Sequence, residues 1–285
     1  MDGIVIINKE KDYTSHDVVA VVKKTLKEKV GHTGTLDPKA TGVLPLLIGK
    51  ATRISKYLIE HDKTYRAILA LGIKTDTADF TGNIIQKQDI QMPNSKQIEQ
   101  VLFSMLGENK QTPPMFSAIK VKGKKLYEYA RQGKMVEIPS RLITIYEIEL
   151  EDIDENKKEI TFKVHCGKGT YIRTLCEQIA EKLGTIGCMK ELQRLRVGSF
   201  KIEDSITIDE LKQEKNISSK IITIEGFFSK KQEIILDDKK MEQFLNGVKL
   251  EYELKDDIYR IYNINNQFVG IGVVKSGILK RDVVL

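Results

Sequence analysis

A chain of 285 residues, 41% hydrophobic and 30% charged, can bury at least one full core and fits about one to two domains. Its 46 Lys and Arg against 40 Asp and Glu leave a net charge of +6, which attracts polyanions and favours a nucleic-acid partner without naming a site. Three cysteines (Cys166, Cys176, Cys188) with no C-x-x-C pair, and four isolated histidines with no H-E-x-x-H spacing, argue against a disulfide framework and a metal site.

The opening MDGIVIINKEK holds a short apolar run between charges rather than a cationic region followed by a long apolar one, and no later segment reaches membrane-span length. A cytoplasmic protein with reduced thiols, no metal and no membrane contact is expected. Ile4 to Ile7 read as a buried strand, and Thr14-Ser15-His16-Asp17 has the form of a helix capping box. Val18, Val19, Val22 and Leu26 recur at three- and four-residue steps, which predicts a helix running to about Lys29 and stopped by Gly31.

Residues 31 to 42, GHTGTLDPKATG, carry three glycines and a proline between that helix and the apolar VLPLLIG, and so form a loop. Alternation predicts strands over Tyr65 to Ile73 and Ile160 to Cys166, with a helix from Ser95 to Leu106 between them, ended by Gly107. A basic stretch follows that helix, with Lys120, Lys122, Lys124, Lys125, Arg131 and Lys134 forming a phosphate-facing surface or an ordinary solvated face.

In GKGTYIRTLCEQIAEKLG, Thr170 can cap a helix that runs through Leu183 to Gly184. Arg173 then falls in its first turn, where a cation is disfavoured unless it faces an anion, so a carboxylate or phosphate partner is expected. From about 203 to 230 the chain turns polar and irregular, and beyond it short strands surround a helix over Asp238 to Asn246, with Asn265-Asn266 as a hairpin turn. A terminal segment of about 55 residues has little core of its own and should dock on the rest.

Nucleotide-cofactor motifs fail, because Gly49-Lys50 is followed by Ala51 and GKGTYI lacks the third glycine of a dinucleotide fingerprint. Asp37 stands out instead. Pro38 restricts its backbone to extended conformations, and Gly34 and Gly42 let the loop approach a ligand closely, although Asp-Pro is by itself a common turn start.

GHTGTLDPKATGVLPLLIGKAT closely resembles the catalytic loop of the TruB-type pseudouridine synthases, the bacterial tRNA pseudouridine-55 synthases. KTYRAILALGIKTDTADFTG at 63 to 82, QTPPMFSAIKVKGKKLYEYARQGK at 111 to 134, GKGTYIRTL at 167 to 175 and LQRLRVGSF at 192 to 200 resemble further blocks of that family in the same order. One departure is the stretch Lys9-Glu10-Lys11-Asp12-Tyr13, which lacks the family's Pro and Gly.

The resemblance implies an α+β pseudouridine synthase fold, with a mixed, mainly antiparallel sheet over 1–230 and a small β-rich, PUA-like RNA-binding domain over 231–285. It implies an isomerase needing no cofactor, a monomer that binds tRNA at the T-loop and stem. By residue, it makes Asp37 the catalytic nucleophile, Tyr65 the active-site tyrosine and Arg173 the partner of the aspartate. His32, Tyr171, Leu192 and Lys9 become substrate contacts. Asp37 would attack C1′ of the flipped uridine or C6 of its ring, with Arg173 holding it by paired hydrogen bonds. The same basic surface would serve an RNA-binding protein without turnover, but an intact Asp37, Tyr65 and Arg173 speak against that reading.

Overall fold

The computed structural model describes the whole chain except residues 118, 122, 135 and 215, with only the backbone of Arg131. Lys122 and the Arg131 side chain, both counted in the basic stretch, lie outside the described residues. Lys120, Lys124 and Lys134 are exposed, whereas Lys125 is half-buried.

β1 (Gly3–Lys9) is buried along nearly its whole length, as its apolar run predicts. Thr14 caps α1 (Ser15–Leu26): its Oγ1 accepts from the Asp17 N–H at 3.0 Å, and the Asp17 carboxylate accepts from the Thr14 N–H at 2.8 Å. The helix stops at Lys27, which adopts the left-handed conformation at φ 55°, and not at Gly31. Gly31 instead lies in β2 (Val30–His32), which pairs with β3 (Thr41–Ile48) and shortens the expected loop to residues 33–40.

Gly42 has φ 103°, and a Cβ there would sit 2.2 Å from the Arg194 carbonyl oxygen, so β3 can meet the chain at Arg194 only through a glycine. Gly34 is under no such constraint, since an added Cβ would meet nothing closer than 3.5 Å.

α2 (Ser55–Ile59) leads into β4 (Lys63–Leu71), followed by the hairpin of β5 (Ile73–Thr75) and β6 (Ile84–Lys87). Asn94 caps α3 (Ser95–Phe103), which ends short of Leu106 before β7 (Gly107–Gln111). A small hairpin, β8 (Lys120–Val121) and β9 (Lys124–Lys125), opens into α4 (Leu126–Arg131). β10 (Arg141–Asp154), β11 (Glu159–Cys166), α5 (Ile172–Lys182), β12 (Gly187–Val197) and β13 (Phe200–Lys201) complete this part. Thr170 does not cap α5: Tyr171 holds that position, and the Thr170 hydroxyl donates to the Gly167 carbonyl.

The main sheet has the order β1-β3-β12-β4-β11-β10-β7, antiparallel except for the β3–β12 pair, with β2 on β3 and β13 on β12. Along β4 the alternation turns Tyr65, Ala67, Leu69 and Leu71 into one core with Ile160, Phe162 and Val164 of β11 and with residues of α3 and α5. Cys166 and Cys176 lie in that core, and Cys188 is buried as well. Burial pushes the Cys166 and Cys188 thiols up to about 11 and Cys176 well above its ordinary value.

The segment expected to be irregular is anchored on β1. Ile206 bridges to Ile7 and Ile222 to Ile4, around α6 (Ile208–Gln213) and α7 (Ile224–Phe227). Its apolar residues are too widely spaced for a period, yet Ile206, Ile208 and Leu211 are all buried.

β14 (Glu233–Leu236), α8 (Asp238–Leu245), β15 (Leu250–Glu251), β16 (Asp257–Asn263), β17 (Phe268–Lys275) and β18 (Ile278–Val284) build a second sheet in the order β14-β16-β17-β18-β15. The Asn265-Asn266 turn joins β16 to β17, with Asn266 at φ 57°. Ile271 and Val283 of this sheet share one apolar cluster with Ile4, Ile54, Leu58 and Phe228, while Asp282 accepts from Lys56 and Tyr57. The architecture is thus α+β, with a β-rich C-terminal part docked on the main body. Among the described residues no helix is long and apolar enough to cross a membrane.

Because Ile271 is fully buried in that shared cluster, Ile271→Ala should lower the unfolding free energy by about 2–4 kcal/mol. Spectroscopic probes placed in both sheets should shift together in urea. Two separate transitions would show that the parts unfold independently.

Candidate active site

α5 begins with a guanidinium buried at its positive end, and two carboxylates from other elements answer it. Arg173 Nε lies 3.3 Å from Asp37 Oδ2, and its Nη1 lies 3.5 Å from Asp79 Oδ2. Nη1 and Nη2 also donate to the carbonyls of Thr77 (3.3 Å) and Phe116 (2.9 Å). The anion expected from the helix-start position is therefore present. The paired hydrogen bonds expected onto Asp37 are not, since the fork is divided between two acids. Asp79 is fixed by the Thr77 hydroxyl (2.9 Å) and the Thr81 N–H (2.9 Å).

The Arg173 side chain is only 8% exposed, whereas that of Asp37 is 40% exposed. Asp37 sits where two adjoining cavities meet, of about 690 and about 640 Å³, both lined by Asp37, Arg173, Phe116 and Leu192. His32, Tyr65 and Tyr171 line the second of these. Five residues expected around Asp37 thus converge on it from β2, β4, α5 with its cap, and β12.

Tyr65 is buried on β4, opposite Arg194 of β12. Burial, the largest cause, raises its phenol above the ordinary range, so it holds its proton at neutral pH. Arg194, 2% exposed, donates to the Val43 carbonyl (2.7 Å) and the Gly34 carbonyl (3.1 Å), tying both ends of the 33–40 loop to β12.

Tyr171 is held through its backbone. Its N–H donates to Gln111 Oε1 (2.7 Å) and its carbonyl accepts from Gln111 Nε2 (3.1 Å), while the Arg141 guanidinium lies 5.0 Å from its ring centroid. The His32 ring stands edge-on to His16 at 5.4 Å, with its Nδ1 buried and unpartnered. Burial first, then His16 and Arg194, push His32 below its usual value, so it is neutral at pH 7.

Lys9 departs from its expected role as a substrate contact. It is fully buried, and its ammonium donates to the carbonyls of Tyr13 (2.6 Å), Glu10 (2.9 Å) and Pro38 (3.0 Å). All three N–H groups are occupied inside the protein, so Lys9 secures the residue after Asp37 and presents no charge to RNA. Asp79, Arg194 and Gln111 carry no local sequence signal. Their contacts span 60 or more positions to the groups they hold, beyond the reach of local periodicity.

The fold is that of a pseudouridine synthase, an isomerase acting on RNA uridine. A family model for the TruB family pseudouridylate synthase (N terminal domain) matches residues 23–172, and one for the tRNA pseudouridylate synthase B C-terminal domain matches 173–223. The chain belongs to the TruB family. It is 44% identical to a tRNA pseudouridine synthase B of Clostridium kluyveri, over 97% of this chain and 96% of that one. A tRNA pseudouridine synthase B of Alkaliphilus oremlandii is also 44% identical, over 97% and 94%. Among solved structures, that of an H/ACA RNP bound to a substrate RNA containing 2′-deoxyuridine aligns with a TM-score of 0.69 at 27% identity, covering 99% of this chain and 83% of that one.

Arg173→Lys keeps the charge but cannot reach two carboxylates and two carbonyls at once, so kcat should fall by about a hundredfold or more in steady-state assays. A variant within threefold of wild type would show that the fork is dispensable. Burial lowers Lys9 from 10.5 to about 8, so the folded chain releases this proton before the unfolded one. Lys9 therefore adds stability as the pH rises from about 8 towards 10.5, while the loop clamp loses one donor. We expect kcat to decline through an ionisation near 8 in the folded enzyme, and Lys9→Met to show a lower plateau without that limb.

Proposed function

We propose that this chain is the tRNA pseudouridine-55 synthase of its cell, isomerising a flipped-out uridine of the T-loop with Asp37 as nucleophile. The observation that carries this reading is the half-exposed Asp37 carboxylate, paired with buried Arg173 at the junction of two cavities that Tyr65, Tyr171, Leu192 and His32 help to line.

The reaction breaks the bond from C1′ to N1, turns the uracil and joins C5 to the same sugar carbon, while the C5 proton leaves and N1 is protonated. No oxidation state changes and no group is added. Asp37 forms its bond at C1′, as carboxylates do in retaining glycosidases, or at C6 of the ring; a route through loss of the C2′ proton is also consistent with the overall change. Arg173 keeps the carboxylate in place, and the protonated Tyr65 offers a ring for stacking and a hydroxyl for hydrogen bonding. Tyr171 and Leu192 supply the apolar walls that exclude water from a reactive intermediate. Neutral His32, next to the 33–40 loop, fills the space left when the uridine turns out of its stack.

Lys120, Lys124 and Lys134, together with a PUA-like domain over 231–285, hold the RNA through its phosphates. T-loop recognition rests on the shape and unstacked bases of the folded RNA. The same reading takes the protein as a cytoplasmic monomer and 1–230 as its catalytic domain.

Unmodified tRNA carrying tritium at uridine C5 provides the test: the wild-type chain should release the label as water, and Asp37→Asn should not. Binding without release by the wild type would overturn the enzymatic reading, and normal release by Asp37→Asn would overturn the nucleophile. tRNA affinity should also fall steeply between about 50 and 200 mM salt, because each phosphate contact releases a counterion. Salt-insensitive binding would contradict the basic surface.

A further inference from the structure

Ser15 is the first residue of α1 and 1% exposed, yet its hydroxyl takes no part in capping the helix, which Thr14 and Asp17 accomplish between them. The hydroxyl reaches across to the 33–40 loop. Its Oγ accepts from the Leu36 N–H at 2.9 Å and donates to the Leu36 carbonyl at 3.2 Å. Leu36 is 3% exposed and immediately precedes Asp37. On the far side of Asp37, the Pro38 carbonyl is held by Lys9 Nζ (3.0 Å) and by the Asp12 N–H (2.9 Å). The carboxylate-bearing residue is thus suspended between two pinned neighbours.

Something must aim that carboxylate. Its side chain is 40% exposed, and its contact to Arg173 is a single one at 3.3 Å, because the rest of the guanidinium faces Asp79, Thr77 and Phe116. One contact at that distance restrains the carboxylate only in part, so its direction also depends on how the backbone beneath it is held. We propose that Ser15 is a positioning residue for the reaction: its hydroxyl fixes the backbone of Leu36 and so directs Asp37 into the uridine pocket. This rests on Asp37 being the nucleophile. Ser15 lines neither cavity, so it acts through the loop and not through the RNA. Without the hydroxyl, the two buried backbone groups of Leu36 lose their partner, and the loop must shift to satisfy them. A displacement of about 1 Å at a reacting group is enough to cost about a hundredfold in rate.

The experiment compares full-length wild type, Ser15→Ala and Ser15→Thr at a temperature where circular dichroism shows each to be folded. It measures single-turnover tritium release from C5-labelled unmodified tRNA, the Kd for that tRNA, and hydrogen exchange of the peptide containing Leu36. We expect Ser15→Ala to lose about a hundredfold in rate with Kd within about twofold, and its Leu36 segment to exchange faster. Ser15→Thr, which keeps the hydroxyl, should recover most of the rate. A folded Ser15→Ala within threefold of wild-type rate would overturn the proposal. So would a rate loss matched by a loss of tRNA affinity, or a folded Ser15→Thr as slow as Ser15→Ala. Failure of the wild type itself to release tritium would instead overturn the enzymatic reading, and this proposal with it.

Discussion

The first turn of a helix exposes unpaired N–H groups and carries a partial positive charge, so a guanidinium buried there opposes the helix's own field. Arg173 occupies that position on α5 and is tolerated only because Asp37 and Asp79 bring two carboxylates to it. The constraint runs outward. To supply them, the 33–40 loop and the turn of the β5–β6 hairpin must both fold against the start of α5, and the carbonyl of Phe116 draws in the segment before β8. One buried cation thus assembles four stretches of chain that are distant in sequence, and removing it would leave buried acidic charge without a partner. The Asp37 carboxylate is one member of that assembly.

Around this centre, polar side chains grip backbone more than they grip one another. Gln111 takes both the N–H and the carbonyl of Tyr171, Arg194 takes the carbonyls of Gly34 and Val43, and Lys9 takes three carbonyls at once. Loops have no ladder of their own, and their buried backbone groups need partners. Long side chains rooted in β1, β7 and β12 reach out to supply them. Burying such groups is costly unless every donor is used, and that demand selects one conformation of the loop over its alternatives.

Elements whose pattern is local could be read from the sequence. The alternation of β4 and β11, the Thr14–Asp17 cap and the apolar stripe of α1 all depend on near neighbours, and the structure has them. Local signals give way where they have a competitor. Lys27, in the left-handed conformation, ends α1 before Gly31 can, and Thr170 bonds to Gly167 rather than to α5. The widely spaced isoleucines after 203 found partners on β1, two hundred residues away. At the site, Arg173 betrayed itself by standing where a cation should not. Lys9 gave no sign of being buried, and nothing local marks Asp79, Gln111 or Arg194, whose importance exists only once β4, β7, β12 and α5 are assembled. The convergence on Asp37 was legible through the resemblance, whereas the clamps that hold it in place had to be seen.

The three thiols carry a practical corollary. Alkylating agents and peroxides attack the thiolate, and Cys166, Cys176 and Cys188 are all buried and shifted upward, so almost none of that form is present at physiological pH. Cys166 belongs to the same core as Tyr65, yet an alkylating agent finds no reactive thiol there. The native protein should therefore tolerate storage without reductant, and a rapid reaction with a thiol dye would report that its core has opened.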